Sequence, residues 1–581
     1  MPLCLWLLPG FAVEAPAPVW DTQPDTWVAT DALGRSLPTI KEARPLRRDR
    51  YVGVFYFVWL GQHGNQVYDN SKFIAANPAD PQYGPLNAYH HWGEPLWGYY
   101  LSTDEAVIRK QAQMLVNAGV DMVFLDATNA VTYDNVVRTV CRVWSDMRRA
   151  GQPTPQIAFI TWTRSGQTVK YLYDHLYATG QYPELWFHWK GRPLILAKIA
   201  EFPADCKDFF TVRESWAWTK GQKWFGDGKD KWAWIDNHPQ NPGWHDAPDR
   251  PEQISVCVAQ HPVSNIGRSF HDGKEPAQAQ WQSELGLCFA EQWKRAIEVD
   301  PEFVLVTGWN EWIAMRFISK SGGQPFLGKL LAPGGSFFVD EYSPEFSRDI
   351  EPMKGGFGDN YYYQLISNIR KYKGVRPIPG VVAKPITIDG KFDDWKNVEP
   401  EFRDAIGDPV HRNDLGYDKA GPYVNNTGRN DIVAAKVSVD QDNVYFYVRT
   451  KDKLTPSTDP NWMLLFLDVD ANPKTGWLGY DFVVNRTGVS PGTTTIEKNI
   501  GGKYEWGNPV KIQFSVARNE LELAIPRTVL GIKQLPAKID FKWADNIQQT
   551  GEAADFDVNG DAAPDGRFNF RARLNSAALN R

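Results

Sequence analysis

Several common chemistries have no footing in this sequence. Only five of its 581 residues are cysteine (Cys4, Cys141, Cys206, Cys257 and Cys288) and no two make a CxxC pair, so a zinc ribbon or a thioredoxin-type centre is unsupported. Cys257, inside the apolar run Ile254–Val258, reads as an inert core residue. No serine elbow GxSxG, P-loop or HExxH occurs, which removes the usual signatures of serine acyl transfer, P-loop phosphate chemistry and zincin proteolysis. His63, His238 and His261 lack the spacing of a metal-ligand set. Basic charge is not in excess: 63 Lys and Arg stand against 69 Asp and Glu, a net charge of -6, which argues against nucleic acid or an anionic membrane as partner. No apolar run reaches the roughly 18–20 residues of a membrane span. Internal repeats and low-complexity tracts are absent too, and the sequence specifies no oligomeric state.

Tryptophan is abundant instead. There are 25, more than twice the 10 histidines. Broad indole faces suit both a thick core and the C–H faces of sugar rings. The length exceeds one ordinary domain, so two or three are expected. The opening MPLCLWLLPGFAVEAPAPVW, an apolar stretch followed by small residues and prolines, resembles a signal peptide without its basic start. It predicts a secreted or periplasmic protein, with residues 1–45 as leader and N-terminal extension.

From residue 46 to 373, strand-like and helix-like segments alternate. Strands are expected at 51–58, 120–125, 157–162, 194–198, 209–212, 231–235, 254–259 and 303–307. Helices are expected at 102–118, opened by a Ser102/Glu105 capping box and closed by Gly119, and at 135–149, 168–178 and 280–299. Eight such units predict a (β/α)8 TIM-type barrel. No GxGxxG follows an early strand, which disfavours a dinucleotide-binding open sheet. Residues 374–385, rich in Pro and Gly, read as a linker. Residues 386–581 change to short alternating strands separated by turn residues, the pattern of a C-terminal antiparallel β-sandwich. The chain is therefore expected to be multidomain: a barrel followed by a sandwich.

A barrel of this kind builds its active site at the C-terminal ends of its strands. Those ends hold Trp59 and His63, Asp126 and Asn129, Trp162, Glu214 and Trp216, Asp236, His261, and Trp309-Asn310-Glu311-Trp312. Carboxylates, amides, imidazoles and indoles on one rim suit a glycan. Glycoside cleavage typically uses two carboxyl groups. Glu311, directly past an apolar strand, is the first candidate, with Asp126, Glu214, Asp236 and Glu341 as possible partners and Glu345 and Asp340 nearby. The long segment 61–101 adds His91, Trp92 and Glu94 as candidate substrate contacts. In the second domain, Trp462, Trp477, Trp506 and Trp543 are candidate sugar platforms. Two acidic runs space oxygen ligands as a calcium loop does: Asp468, Asp470 and Asn472, and Asp557, Asn559, Asp561 and Asp565. Structural Ca²⁺ is the only cofactor suggested, and none is required for catalysis.

The segments FYFVWLG, HHWGEPLWGYYLSTDEAVIRKQAQMLVNAGVDMVFLDATN, WKGRPLIL and TGWNEW, in that order, resemble glycoside hydrolase family 99 and the related family 71 over residues 50–370. The resemblance implies a (β/α)8 enzyme acting on α-linked glycans. Family 99 has a motif Asn-Glu-Trp-x-Glu in which one glutamate assists deprotonation of the sugar 2-hydroxyl, giving retention through an epoxide, and the other is the acid/base. Glu311 matches the first. Ala314 stands at the second, so either another carboxyl supplies the acid, or the chemistry differs, or the domain is inactive and binds glycan without cleaving it. The stretches ITIDGKFDDW, DNVYF and FKWADN resemble a family 9-type carbohydrate-binding module or DOMON-like sandwich, which implies a tether to the polysaccharide or glycan substrate.

Overall fold

The computed structural model describes residues 19–575. Seven parallel strands form one sheet: β1 (Tyr51–Tyr56), β2 (Met122–Ala127), β3 (Gln156–Thr161), β4 (Arg192–Leu196), β5 (Thr211–Arg213), β6 (Pro251–Cys257) and β7 (Phe303–Thr307). Their order is β5-β4-β3-β2-β1-β7-β6. Nearly every residue of β2 and β7 is buried, which is why strands of this kind read as continuous apolar runs. The expected strand at 231–235 is not a regular one. It makes two parallel bridges, Lys231 to Glu214 and Ile235 to Ala217. The Gln253 amide of β6 reaches the Ala233 carbonyl at 2.8 Å. Residues just past β5 and a side chain of β6 thus both reach 231–235, Gly243–Trp244 pairs antiparallel with β6, and the sheet curls into a TIM-like body.

Among the described residues six α-helices accompany it: α1 (Asn70–Ala76), α2 (Glu105–Ala118), α3 (Asp134–Arg149), α4 (Ser165–Leu172), α5 (Leu287–Val299) and α6 (Asn360–Lys373). The expected capping box of α2 is replaced. Asp104 is the N-cap, accepting from the Val107 N–H at 3.2 Å, while the Ser102 hydroxyl accepts from the Leu60 N–H at 2.9 Å. Gly119 ends the helix with φ 85°, a left-handed conformation that suits glycine. The base of the curled sheet is closed by Phe303, Trp189, Trp232 and Phe124 in edge-on and tilted contacts. Gly53 admits this layer, because a Cβ there would stand 2.6 Å from the Phe303 ring. Glu252 lies in the same layer, accepting from Arg213 Nε and Nη2 and from Trp232 Nε1, each at 2.7 Å, and from Trp189 Nε1 at 2.8 Å.

The second domain is one antiparallel path of strands from Glu401–Arg403 to Phe570–Leu574, joined by the long strand Trp506–Ala517. The path folds on itself. Phe446 (strand 443–450) meets Phe541 (strand 537–545), centroids 5.6 Å apart, although several strands separate them along the path.

Two expectations about organisation change. Residues 1–18 of the leader segment lie outside the described residues. Residues 19–45 belong to the folded body: Trp27 packs on Phe568 and Phe570, and Arg370 donates to the Trp27 carbonyl at 2.8 Å. The segment read as a linker is also built in. Val375 and Val381 are buried, and Gly380–Val381 pairs with Arg573–Leu574. The two domains share polar contacts: Arg412 with Asp104 (2.6 Å), Lys110 with Asp565 (2.8 Å) and Arg567 with Asp359 (2.6 Å). No helix among the described residues is long and apolar enough to cross a membrane.

Candidate active site

Glu311 follows β7 and is 2% exposed. Its Oε2 accepts from Arg348 Nη2 at 2.7 Å. The Arg348 side chain gathers three carboxyl groups, since it also lies 3.4 Å from Asp340 Oδ1 and 3.3 Å from Glu341 Oε1. Its backbone N–H donates to Glu341 Oε2 at 3.0 Å, and Nη1 donates to the Gln260 carbonyl at 3.1 Å. Asp349 fixes the main chain beneath, accepting from the Glu311 N–H at 2.6 Å. Burial pushes the Glu311 carboxyl well above the usual range. Arg348 opposes that shift, and the charges of Asp340, Asp349 and Asp126 add to it. Glu341 is raised the same way, by burial first and with Arg348 opposing.

Asp126, at the end of β2, is close enough to enter this field. It accepts from the Thr128 N–H at 2.9 Å, and burial raises its pKa. Around it stand Tyr133, which hydrogen-bonds His63 at 2.8 Å, and Tyr89, stacked on His63 at 4.7 Å. Trp59 packs edge-on to His63. Just past β3 and β5, Trp162 and Trp216 stack at 4.2 Å, both half-buried, with Lys198 over Trp162. Trp234 lies edge-on to Trp216, and Arg348 sits over its ring. His261 packs on Trp218, and burial pushes its pKa down to about 4. The mouth of the sheet is thus an acidic floor walled by aromatics.

Other expected site residues are placed elsewhere. Trp309 and Trp312 are fully buried. Trp312 stacks on the equally buried Trp92 at 4.3 Å, and its N–H donates to Glu351. These indoles have no face for a sugar. His91 is enclosed by Tyr99 and Tyr417. The Asn310 amide brackets the backbone N–H and C=O of Phe57 at 2.8 and 3.0 Å, so it orders the end of β1. Glu94 pairs with Lys72 and Lys354, and Glu214 pairs with Lys231. Asp236 is occupied by the N–H groups of Thr219, Asn237 and Asn241 and by the Thr219 hydroxyl. Glu345 is held by Ser269 and Ser283. Asn129 is exposed beyond Asp126. Ala314 lies in an apolar nest of Phe326, Phe338, Tyr342 and Phe346, so its position supplies no acid. Arg348, Tyr89, Tyr133 and Trp234 were not foreseen. The only trace of Arg348 in the sequence is a lone base within an acid-rich segment.

In the second domain Trp543, Trp462 and Trp477 are core residues, and Trp506 is half-buried against Phe466. These four are therefore poor platforms. Asp468 and Asp470 meet Asp481, and the Asn472 N–H donates to Asp470 at 2.9 Å. The run 557–565 does not form one loop. Asp565 pairs with Lys110, the Asn559 amide donates to Asp555 at 2.6 Å, and Asp561 joins Asp404 and Asp408. Asp557 lies within the field of Lys110 and Asp565.

No family model matches the chain, and no curated protein matches it. Among solved structures the chain is similar to glycoside hydrolases. Two are structures of the family 99 endo-α-mannosidase from Bacteroides thetaiotaomicron, at 15% and 14% identity and TM-score 0.33. They cover 57% of this chain and 98% and 99% of their own. A third, a glycoside hydrolase-like protein, has 11% identity and TM-score 0.31 over 61% of this chain and 97% of its own. Likenesses this low carry no weight for fold or activity here.

Proposed function

We propose that the protein is an exported glycoside hydrolase with a (β/α)8 catalytic domain, acting on a polysaccharide or glycan at the mouth of the curled sheet. One observation supports this reading: past the end of β7, Glu311 is bonded to Arg348, which also faces Asp340 and lies over the Trp234 ring, and that ring packs edge-on against Trp216 of the stacked pair Trp162 and Trp216. In this reading Arg348 holds Glu311 in place by its 2.7 Å bond, and Glu311 and Asp126 exchange protons with the glycosidic oxygen and the attacking group. Asp340, the more exposed carboxyl of the Arg348 group, contacts substrate hydroxyls at the entrance. The outer face of Trp216, backed by Trp162, holds a sugar ring by its C–H face. The second domain, joined through the seam at α2, acts as a tether. Export rests on the apolar opening segment.

The test is release of reducing ends from a glycan panel by the wild type and by Glu311→Gln and Asp126→Asn. Loss of at least about 10²–10³-fold in kcat/KM in each, with the native fold retained by circular dichroism, supports the pair. Full activity in Glu311→Gln refutes it. A second reading, a glycan binder without hydrolysis, is favoured by the apolar packing of Ala314 and by the Arg348 ion pair on Glu311. Glycan binding without any cleavage would select it.

A further inference from the structure

Sequence spacing groups the acids of the second domain along the chain, but folding regroups them. Asp404 follows strand Glu401–Arg403, Asp408 lies four residues on, and Asp561 opens strand Asp561–Ala563. One carboxylate oxygen from each lies within 4.8 Å of the others. Asp404 is 2% exposed and its Oδ2 has no hydrogen-bond partner among the described residues. Both carboxylate oxygens of Asp408 are likewise buried and without a partner. Asp561 accepts only the Ile432 N–H, at 2.6 Å, among the described residues. Buried carboxylates left this way are costly unless a cation meets them.

Lys110 and Lys542 lie near enough to favour the charge on Asp404, but among the described residues no base makes an ion pair with any of the three. Lys110 of α2 pairs with Asp565 at 2.8 Å, Lys542 donates to the Pro564 carbonyl, and Lys451 faces Asp431 at 3.7 Å. Asp431 and Asp557 add further acid to the same region. The donor set is all oxygen, with no His or Cys, which suits a hard cation and not zinc. Oxygens bound to one Ca²⁺ at about 2.3–2.6 Å are at most about 5 Å apart, which matches the observed spread. A cavity of about 80 Å³ adjoins Asp408 and Asp561 and extends to Trp97 and Lys110 of the first domain, with room for waters to complete the shell.

We propose that Asp404, Asp408 and Asp561 bind one Ca²⁺-class divalent cation, which ties the 404–408 loop to strand 561–563 beside the seam with α2. This site differs in composition from both acidic runs legible in the sequence.

The full-length protein, stripped with EGTA, is titrated with CaCl₂ and separately with MgCl₂ by calorimetry and thermal unfolding. Because Asp468, Asp470 and Asp481 form a second acidic group, Asp408→Asn and Asp470→Asn are compared. The expected result is calcium uptake with a rise of roughly 5–10 °C at a hundredfold excess over Kd. The affinity of that site should fall at least tenfold in Asp408→Asn and persist in Asp470→Asn. Should Asp408→Asn fail to fold, amide exchange on the wild type decides: calcium should protect residues 404–410 and 559–563. No uptake at 1 mM CaCl₂, uptake untouched by Asp408→Asn, or protection confined to 468–481 would overturn the proposal.

Discussion

Replacing Arg348 by methionine is a direct perturbation of the candidate site. The methionine keeps an apolar stem and removes the one cation shared by Glu311, Glu341 and Asp340. Breaking a buried ion pair from one side costs about 3–5 kcal/mol, because the other charge is left dry and unpaired. For a domain of this length that corresponds to a fall of about 4–7 °C in unfolding temperature near pH 8. The loss should depend on pH, with a definite sign. Glu311 and Glu341 already have raised folded-state pKa values. Such groups contribute stability that is full below the unfolded glutamate value, about 4.3, and is lost as pH rises through the folded one. Arg348 opposes the rise of both, so its removal lifts the folded values further. The variant should therefore lie nearest the wild type at pH 5 and depart from it progressively toward pH 8. Adding Glu311→Gln should recover part of the deficit at pH 8, because one of the stranded carboxylates is then neutral. The measurement is thermal unfolding of the three proteins from pH 5 to 8. An equal deficit at every pH, or a shift below 1 °C at pH 8, would refute the account of Arg348 as counter-charge.

Two further outcomes are expected. Trp216→Ala removes one indole of the stacked pair Trp162/Trp216 and should raise KM for a glycan substrate about tenfold with a smaller change in kcat, as steady-state kinetics would show. Glu252→Gln alters the buried Arg213 pair at the base of the sheet. Burial alone would raise the Glu252 pKa, but the Arg213 hydrogen bonds and charge outweigh it and hold the value low. The stability this carboxylate contributes is present above the unfolded glutamate value and is lost as pH falls through the folded one. The variant should therefore be less stable than the wild type by about 3 kcal/mol at pH 7, with the gap closing below pH 4 in urea unfolding.

How much was legible varies with the range of the interaction. The run Val52–Tyr56, the segment Met122–Asp126 and Phe303–Thr307 were readable as strands, because a parallel strand buried on both faces must be apolar at every position. The position of Glu311 past β7 and Asp126 at the end of β2 followed directly. Which way a strand-end side chain faces did not. Trp309 and Trp312 flank the same turn as Glu311 yet turn into the core, because Trp92 from the 61–101 segment and Tyr362 from α6 come to meet them. The 374–385 stretch has the composition of a linker and the contacts of a packed segment, since Val375 and Val381 find apolar neighbours that composition does not reveal.

By itself, then, the sequence determined the alternation of elements, the change of pattern after residue 385 and the strand ends at which acids collect, all of which depend on periodicity within a dozen residues. Tertiary structure alone decided that Arg348 closes on Glu311 and Glu341 and that Asp561 leaves its own run to join Asp404 and Asp408. It also decided that most of the abundant tryptophan serves the core while Trp162 and Trp216 remain at the mouth. The physical reason is that apolar burial is written into local pattern, whereas a charge acquires its partner only when distant segments are brought together in a dry interior.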